Sequence, residues 1–95
     1  MINSKQRAYL KGLANNLNPS LQIGKDGLTD SILEELEVQL ENKELVKISV
    51  LENSPVFVNE ITDDILNSTG AEYVQLIGNK FIIYRESKNN KKIEL

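Results

Sequence analysis

The stretch Ile23-Gly24-Lys25-Asp26-Gly27-Leu28-Thr29-Asp30 limits what this chain can become more than any other. An apolar run, Leu21 to Ile23, enters a Gly-x-x-Gly turn that passes directly into a strongly patterned helix beginning near Thr29. Glycines at both ends of so short a loop let the backbone take φ > 0 and approach a ligand closely, because no Cβ stands in the way. The helix that follows leaves its first N–H groups unpaired and puts the positive end of its dipole there. Such a loop can hold a phosphate, and Lys25 at its tip adds a full positive charge. Taken alone, the four residues favour a tight strand-to-helix connection whose glycines serve only geometry. The rest of the chain has to tip that balance.

Ninety-five residues, 40% hydrophobic and 26% charged, suit one ordinary globular domain spanning 1–95 with a single modest core. No apolar run approaches the roughly 18 residues of a membrane span, so no membrane partner is expected. Behind Met1-Ile2-Asn3-Ser4-Lys5 there is no apolar signal region, which points to the cytoplasm. The inventory is hard on enzymatic readings. With no His and no Cys, Ser-His and Cys-His pairs and the usual zinc ligand sets are impossible. The 14 Asp and Glu leave carboxylate chemistry formally open, but most lie at helix-surface spacing, as a solvated face does. No catalytic residue, metal or cofactor is expected.

In chain order, Ser4 is a candidate N-cap for a helix running to about Leu17, with Leu10, Leu13, Ala14 and Leu17 as its apolar stripe. Arg7 and Lys11 fall about 40° apart at the edge of that stripe and can point outward together. Asn18-Pro19 ends the helix. After the short strand and the glycine turn, Thr29 caps a second helix that buries Ile32, Leu33, Leu36 and Leu40. Glu34, Glu37, Glu41 and Glu44 are placed on its solvent side. Leu45 to Val50 alternates with period two, a half-buried strand with Val46, Ile48 and Val50 inward. Ser54-Pro55 reads as the start of a third helix with Val58, Ile61, Ile65 and Leu66 inward, stopped by Gly70. Tyr73 to Ile77 and Lys80 to Arg85 form a hairpin about Gly78-Asn79. Residues 86–95 read as a mobile basic tail in which Ile93 is the candidate for a short docked segment.

The order α-β-α-β-α-β-β predicts an α+β fold, a two-layer arrangement of three helices on a four-stranded mixed sheet. Right-handed crossovers would join parallel neighbours, and the hairpin would add one antiparallel strand. Charge is unevenly spread over that order. Residues 1–27 carry +3, residues 28–72 carry −9 and residues 73–95 carry +3, for a net −3. If both basic ends fold to one side, the molecule is an electrostatic dipole with a polyanion-binding face.

Several separate blocks now share a resemblance. Ser4-Lys5-Gln6-Arg7, Leu10-Lys11-Gly12-Leu13-Ala14, Ile23 to Thr29, and Val74-Gln75-Leu76-Ile77-Gly78 through Phe81-Ile82-Ile83-Tyr84-Arg85 look like the YhbY family, small bacterial proteins made of one CRM domain. The match runs from Ser4 to about Leu95. It implies a fold similar to the C-terminal domain of translation initiation factor three, RNA binding, and association with precursors of the large ribosomal subunit. It also implies that Gly24, Lys25, Asp26 and Gly27 contact the RNA backbone. Asp26 departs from that role, since an acid in a phosphate loop repels unless it turns away.

The expected mechanism follows. Amides around Gly27 and Leu28 cradle a backbone phosphate while Lys25, Lys11, Arg7 and Lys5 neutralise neighbours. Lys80, Arg85, Lys88, Lys91 and Lys92 extend the path, and recognition is mainly of shape. Tyr9, Tyr73, Phe81 and Tyr84 sit in apolar runs and are assigned to the core before base stacking. The expected partner is large-subunit ribosomal RNA, bound by a monomer. The alternative is a protein-interaction module whose acidic second helix docks on a basic ribosomal protein or assembly factor.

Overall fold

The computed structural model describes all 95 residues, Met1–Leu95. The first helix, α1 (Ser4–Ala14), is opened by Asn3 rather than Ser4. The Asn3 side chain accepts the Gln6 N–H at 2.8 Å, and Gln6 Oε1 accepts the Asn3 N–H at 2.9 Å. Gln6 lies three residues after Asn3, so only that register closes the reciprocal box. The helix stops at Ala14, short of Leu17. Its buried stripe narrows to Leu10 and Ala14, with Leu13 and Leu17 partly exposed.

The remaining elements keep the expected order: β1 (Leu21–Ile23), α2 (Asp30–Lys43), β2 (Leu45–Val50), α3 (Val58–Thr69), β3 (Glu72–Ile77) and β4 (Lys80–Tyr84). Thr29 caps α2 as expected, accepting the Ile32 N–H at 3.2 Å. The third helix starts later than Ser54-Pro55. Ser54 spends its hydroxyl on a local turn with Val56, and Phe57 occupies the N-cap position without a side-chain bond. Gly70 ends α3 in the left-handed region, φ 70°, donating to Leu66 O.

The sheet order is β1-β2-β4-β3. β1 and β2 are parallel neighbours, as expected. β2 and β3 also point the same way but do not touch, because β4 lies antiparallel between them. The Phe81-Ile82-Ile83-Tyr84 run is buried throughout, and the central position pairs it on both edges.

Both faces of the sheet are covered, so the expected two layers are three. Leu36 and Leu40 of α2 and Ile61 and Ile65 of α3 pack on Ile23, Val46, Ile48, Phe81 and Ile83. On the opposite face Leu10 and Ala14 of α1 pack on Leu45, Val74, Ile82 and Tyr84. In β4 the residues out of phase with the first face, Ile82 and Tyr84, are themselves apolar, and a strand apolar on both sides is buried on both. β2 is buried on both faces except at Lys47, more than the half-buried strand expected.

The final segment is tied down where a mobile tail was expected. Glu44, expected toward solvent, is fully buried at the C-terminal end of α2 with φ 67°. Its carboxylate accepts the N–H groups of Ser87 at 2.7 Å, Lys92 at 2.6 Å and Ile93 at 2.8 Å. Glu41 accepts those of Lys88 and Asn89, each at 3.0 Å. Ile93 packs on the α1-side core, as its apolar side chain among polar neighbours implied.

Candidate nucleic-acid interface

Strand register decides which loops share an end of the molecule. Ile23 stands opposite Val50, and Ser49 stands opposite Lys80. The Gly24–Leu28 loop, the Leu51–Phe57 segment and the Gly78-Asn79 turn therefore meet at one end. Hydrogen bonds fix the meeting. Leu51 N–H donates to Ile23 O at 2.8 Å, Val50 N–H donates to Asn79 O at 2.7 Å, and Asn79 Nδ2 donates back to Val50 O at 3.0 Å.

The two loop glycines have different jobs. Gly27 has φ 65°, a conformation that strains any side chain, so the turn itself favours glycine there, although a Cβ would meet Pro55 Cγ at an ordinary 3.4 Å. Gly24 has no such φ, and a Cβ would meet Asn53 Oδ1 at 3.5 Å and Leu51 Cδ1 at 3.7 Å, ordinary contacts. Gly27 N–H closes the turn on Gly24 O at 3.0 Å, so it is not free to cradle a phosphate as expected. The N–H groups of Lys25, Asp26 and Leu28 make no hydrogen bond within the protein and remain available. Lys25 and Asp26 are both exposed, and the Thr29 cap and the start of α2 follow directly.

The other expected site residues divide into three groups. Lys80, at the start of β4, shares the loop end with Lys25. Lys5, Arg7 and Lys11 lie on α1, across the sheet from α2 and α3. Arg7 Nε donates to Tyr73 O at 3.1 Å, while Lys5 and Lys11 are exposed. This arrangement puts the basic helix and the acidic helices on opposite faces. Arg85, Lys88, Lys91 and Lys92 lie beyond the far end of β4, because that extended strand separates Lys80 at its start from Arg85 just past its finish. No unbroken path runs from Lys80 through Arg85 into the tail.

Two of those far-end charges are already matched. One Arg85 nitrogen reaches both Glu37 oxygens, at 2.6 and 3.0 Å, and also donates to Thr69 O at 2.9 Å. Lys91 pairs with Glu86 at 3.0 Å, and that bond raises its pKa. Burial pushes the Glu44 carboxyl up, but the Ser87, Lys92 and Ile93 amides outweigh it and leave its pKa below the ordinary value. The Lys88 amide, with help from Ser87 and Asn89, lowers that of Glu41. Burial, aided by the charge of Glu44, raises that of Tyr84. The Glu41 and Glu44 shifts follow from the bonds that hold the C-terminal segment.

Phe81 and Tyr84 are core residues as expected, but Tyr9 and Tyr73 are 53% and 42% exposed. The sequence also hid Phe57, which is 77% exposed beside the loop end. Starting the third helix at Pro55 had absorbed it as one more helical residue.

Similarity to known proteins runs along nearly the whole chain. The model of the CRS1 / YhbY (CRM) domain matches residues 2–85. The probable RNA-binding protein YqeI of Bacillus subtilis is 38% identical over 95 residues, covering 100% of this chain and 99% of that protein. An RNA-binding protein of Haemophilus influenzae is 38% identical over 90 residues, 95% of this chain and 91% of that one. The solution structure of the hypothetical protein SAV1595 from Staphylococcus aureus superimposes with a TM-score of 0.82 at 43% identity, covering 100% and 99% of the two chains. With the family model matching residues 2–85 and full-length relatives at 38% identity in agreement, the chain belongs to the CRS1 / YhbY (CRM) domain family.

Proposed function

We propose that this chain binds RNA through the Gly24–Leu28 loop and assists assembly of the large ribosomal subunit by gripping its precursor rRNA. The observation that carries this is the loop itself. Three unpartnered amides and the Lys25 ammonium group stand together at a helix start, beside a glycine that the fold does not require. With no Cβ at Gly24, the backbone of a ligand can approach these amides closely. The relatives named as RNA-binding proteins support RNA as that partner.

Lys80 extends the loop contact, and Lys5, Arg7 and Lys11 form a second basic group on α1. Phosphate contacts of this kind set position and leave sequence unread. Arg85 and Lys91 stand outside the interface, since Glu37 and Glu86 already hold them. The exposed acids Glu34, Asp63 and Asp64 on α2 and α3 keep RNA off that side. They are also the place for a basic ribosomal protein, a second reading that binding restricted to protein-containing particles would favour.

Fluorescence anisotropy with large-subunit rRNA fragments at two salt concentrations tests the proposal. Wild-type binding should weaken with salt, and Gly24→Asp should abolish it while leaving circular dichroism unchanged. Lys25→Ala should flatten the salt slope by about one phosphate contact. Equal binding by all three proteins would remove the loop from the interface.

A further inference from the structure

At the loop end Phe57 breaks two local rules. It is 77% exposed, and it holds the N-cap position of α3 without making a capping bond. Ser, Thr, Asp or Asn there would satisfy an orphan N–H, and almost any buried site would use the ring better. A residue that serves neither the helix nor the core marks a site where the fold serves something else. Its surroundings say what. Phe57 is two residues from Pro55, whose ring sits against Gly27. Leu51, beside Gly24 in the same connecting segment, is 37% exposed. Lys25, exposed in the loop that Pro55 packs against, brings positive charge to the same end.

We propose that Phe57 is a stacking platform for an unpaired base whose neighbouring phosphate lies on the Gly24–Leu28 loop. The RNA recognised at this end is then a bulge, loop or single strand rather than continuous duplex, in which no base face is open to a side ring. Lys25 and the free amides take the backbone. The Phe57 ring takes the base, with Pro55 and Leu51 of the same Leu51–Phe57 segment as its apolar surroundings. Stacking tolerates any base, so this adds a preference for unpaired structure and none for sequence. The assignment rests on the RNA-binding reading of the loop.

The test compares a hairpin RNA carrying a single-base bulge, with 2-aminopurine at the bulge, against the same hairpin fully paired. Wild-type protein should bind the bulged RNA more tightly and change the 2-aminopurine fluorescence. Phe57→Ala should weaken bulged-RNA binding about tenfold or more, leave fully paired binding unchanged, and abolish the fluorescence change. Phe57→Trp should retain both effects, and Phe57→Leu should lose them. Phe57→Ser should raise Tm by supplying a cap and still lose the bulge preference, which separates recognition from stability. Equal binding of the bulged RNA by wild type, Phe57→Ala and Phe57→Leu would overturn the stacking role and leave the patch to a protein partner. If Lys25→Ala still lowers affinity in that case, the loop reading stands without it. Failure of the wild type to bind either RNA would overturn both.

Discussion

Glu44 holds Ile93 by a 2.8 Å bond from the Ile93 N–H to the buried Glu44 carboxylate, 49 residues back along the chain. The same carboxylate holds Ser87 and Lys92, so one side chain closes the C-terminal segment onto the end of α2. Glu44→Ala removes an ionised acceptor from three amides and should cost roughly 2–3 kcal/mol, limited because the released segment rehydrates. Glu44 also sits at φ 67°, a conformation that costs a non-glycine residue about 1 kcal/mol or more. Glu44→Gly should therefore be about 1 kcal/mol less destabilised than Glu44→Ala. Thermal melts rank the two. Faster hydrogen exchange at Ser87, Lys92 and Ile93 in both variants would localise the loss, and unchanged exchange would refute the clasp.

The clasp also sets the acid limit of the fold. Glu41 and Glu44 both have pKa values lowered from 4.5 by the amides they accept. A depressed carboxyl contributes stability that is complete above the unfolded value and is lost as pH falls through the folded one. Tm should be flat through neutral pH and decline once pH drops below about 4.5, with the C-terminal segment opening first. On the alkaline side Tyr84 and Lys91 have raised values, so their contributions are lost as pH climbs above 10.0 and 10.5. Glu41→Gln/Glu44→Gln should be less stable at neutral pH and should show a shallower acid decline. An acid decline as steep as that of the wild type would place the sensitivity elsewhere.

Arg85 belongs to the same end. It joins Glu37 of α2 to the carbonyl of Thr69 at the end of α3, bracing two helices from one strand terminus. The pair is largely solvent-accessible, so its worth is small. Arg85→Gln should lower stability by about 1 kcal/mol or less and leave RNA affinity and its salt slope unchanged. A clear drop in affinity with normal folding would return Arg85 to the interface.

This is where sequence and structure part company. Period-two and period-3.6 patterns made α2, β2 and the hairpin legible, as did Thr29, Gly70 and Gly78 at their boundaries. Those signals are local, and local chemistry decides them. Glu44 was misplaced because helical spacing alone puts it with Glu34, Glu37 and Glu41. Its burial comes from amides contributed by residues 87–93, which no window around position 44 contains. The third layer was missed for a related reason, since Leu45, Ile82 and Tyr84 reveal a second apolar face only when the strands are paired. In the candidate site Gly24, Lys25 and Gly27 were legible as a motif. That Lys80 joins them while Arg85 does not follows from β4 being extended, which separates its two ends. Phe57 was hidden by a helix start placed three residues early.

The two loop glycines give the sharpest separation of folding from binding. A side chain at Gly27 must adopt φ 65°, so Gly27→Ala should destabilise the protein by about 1–2 kcal/mol. A Cβ at Gly24 meets only ordinary van der Waals contacts, so Gly24→Ala should leave the unfolding free energy within about 0.5 kcal/mol of wild type. If the backbone of a ligand packs directly on the loop, Gly24→Ala nonetheless weakens RNA binding, because the methyl group occupies the space of close approach. Measuring both quantities on both variants gives a crossed pattern: stability lost at Gly27, affinity lost at Gly24. Affinity that merely tracks stability would mean that the glycines serve the turn alone. RNA would then have to be held by α1, where Lys5 and Lys11 are exposed.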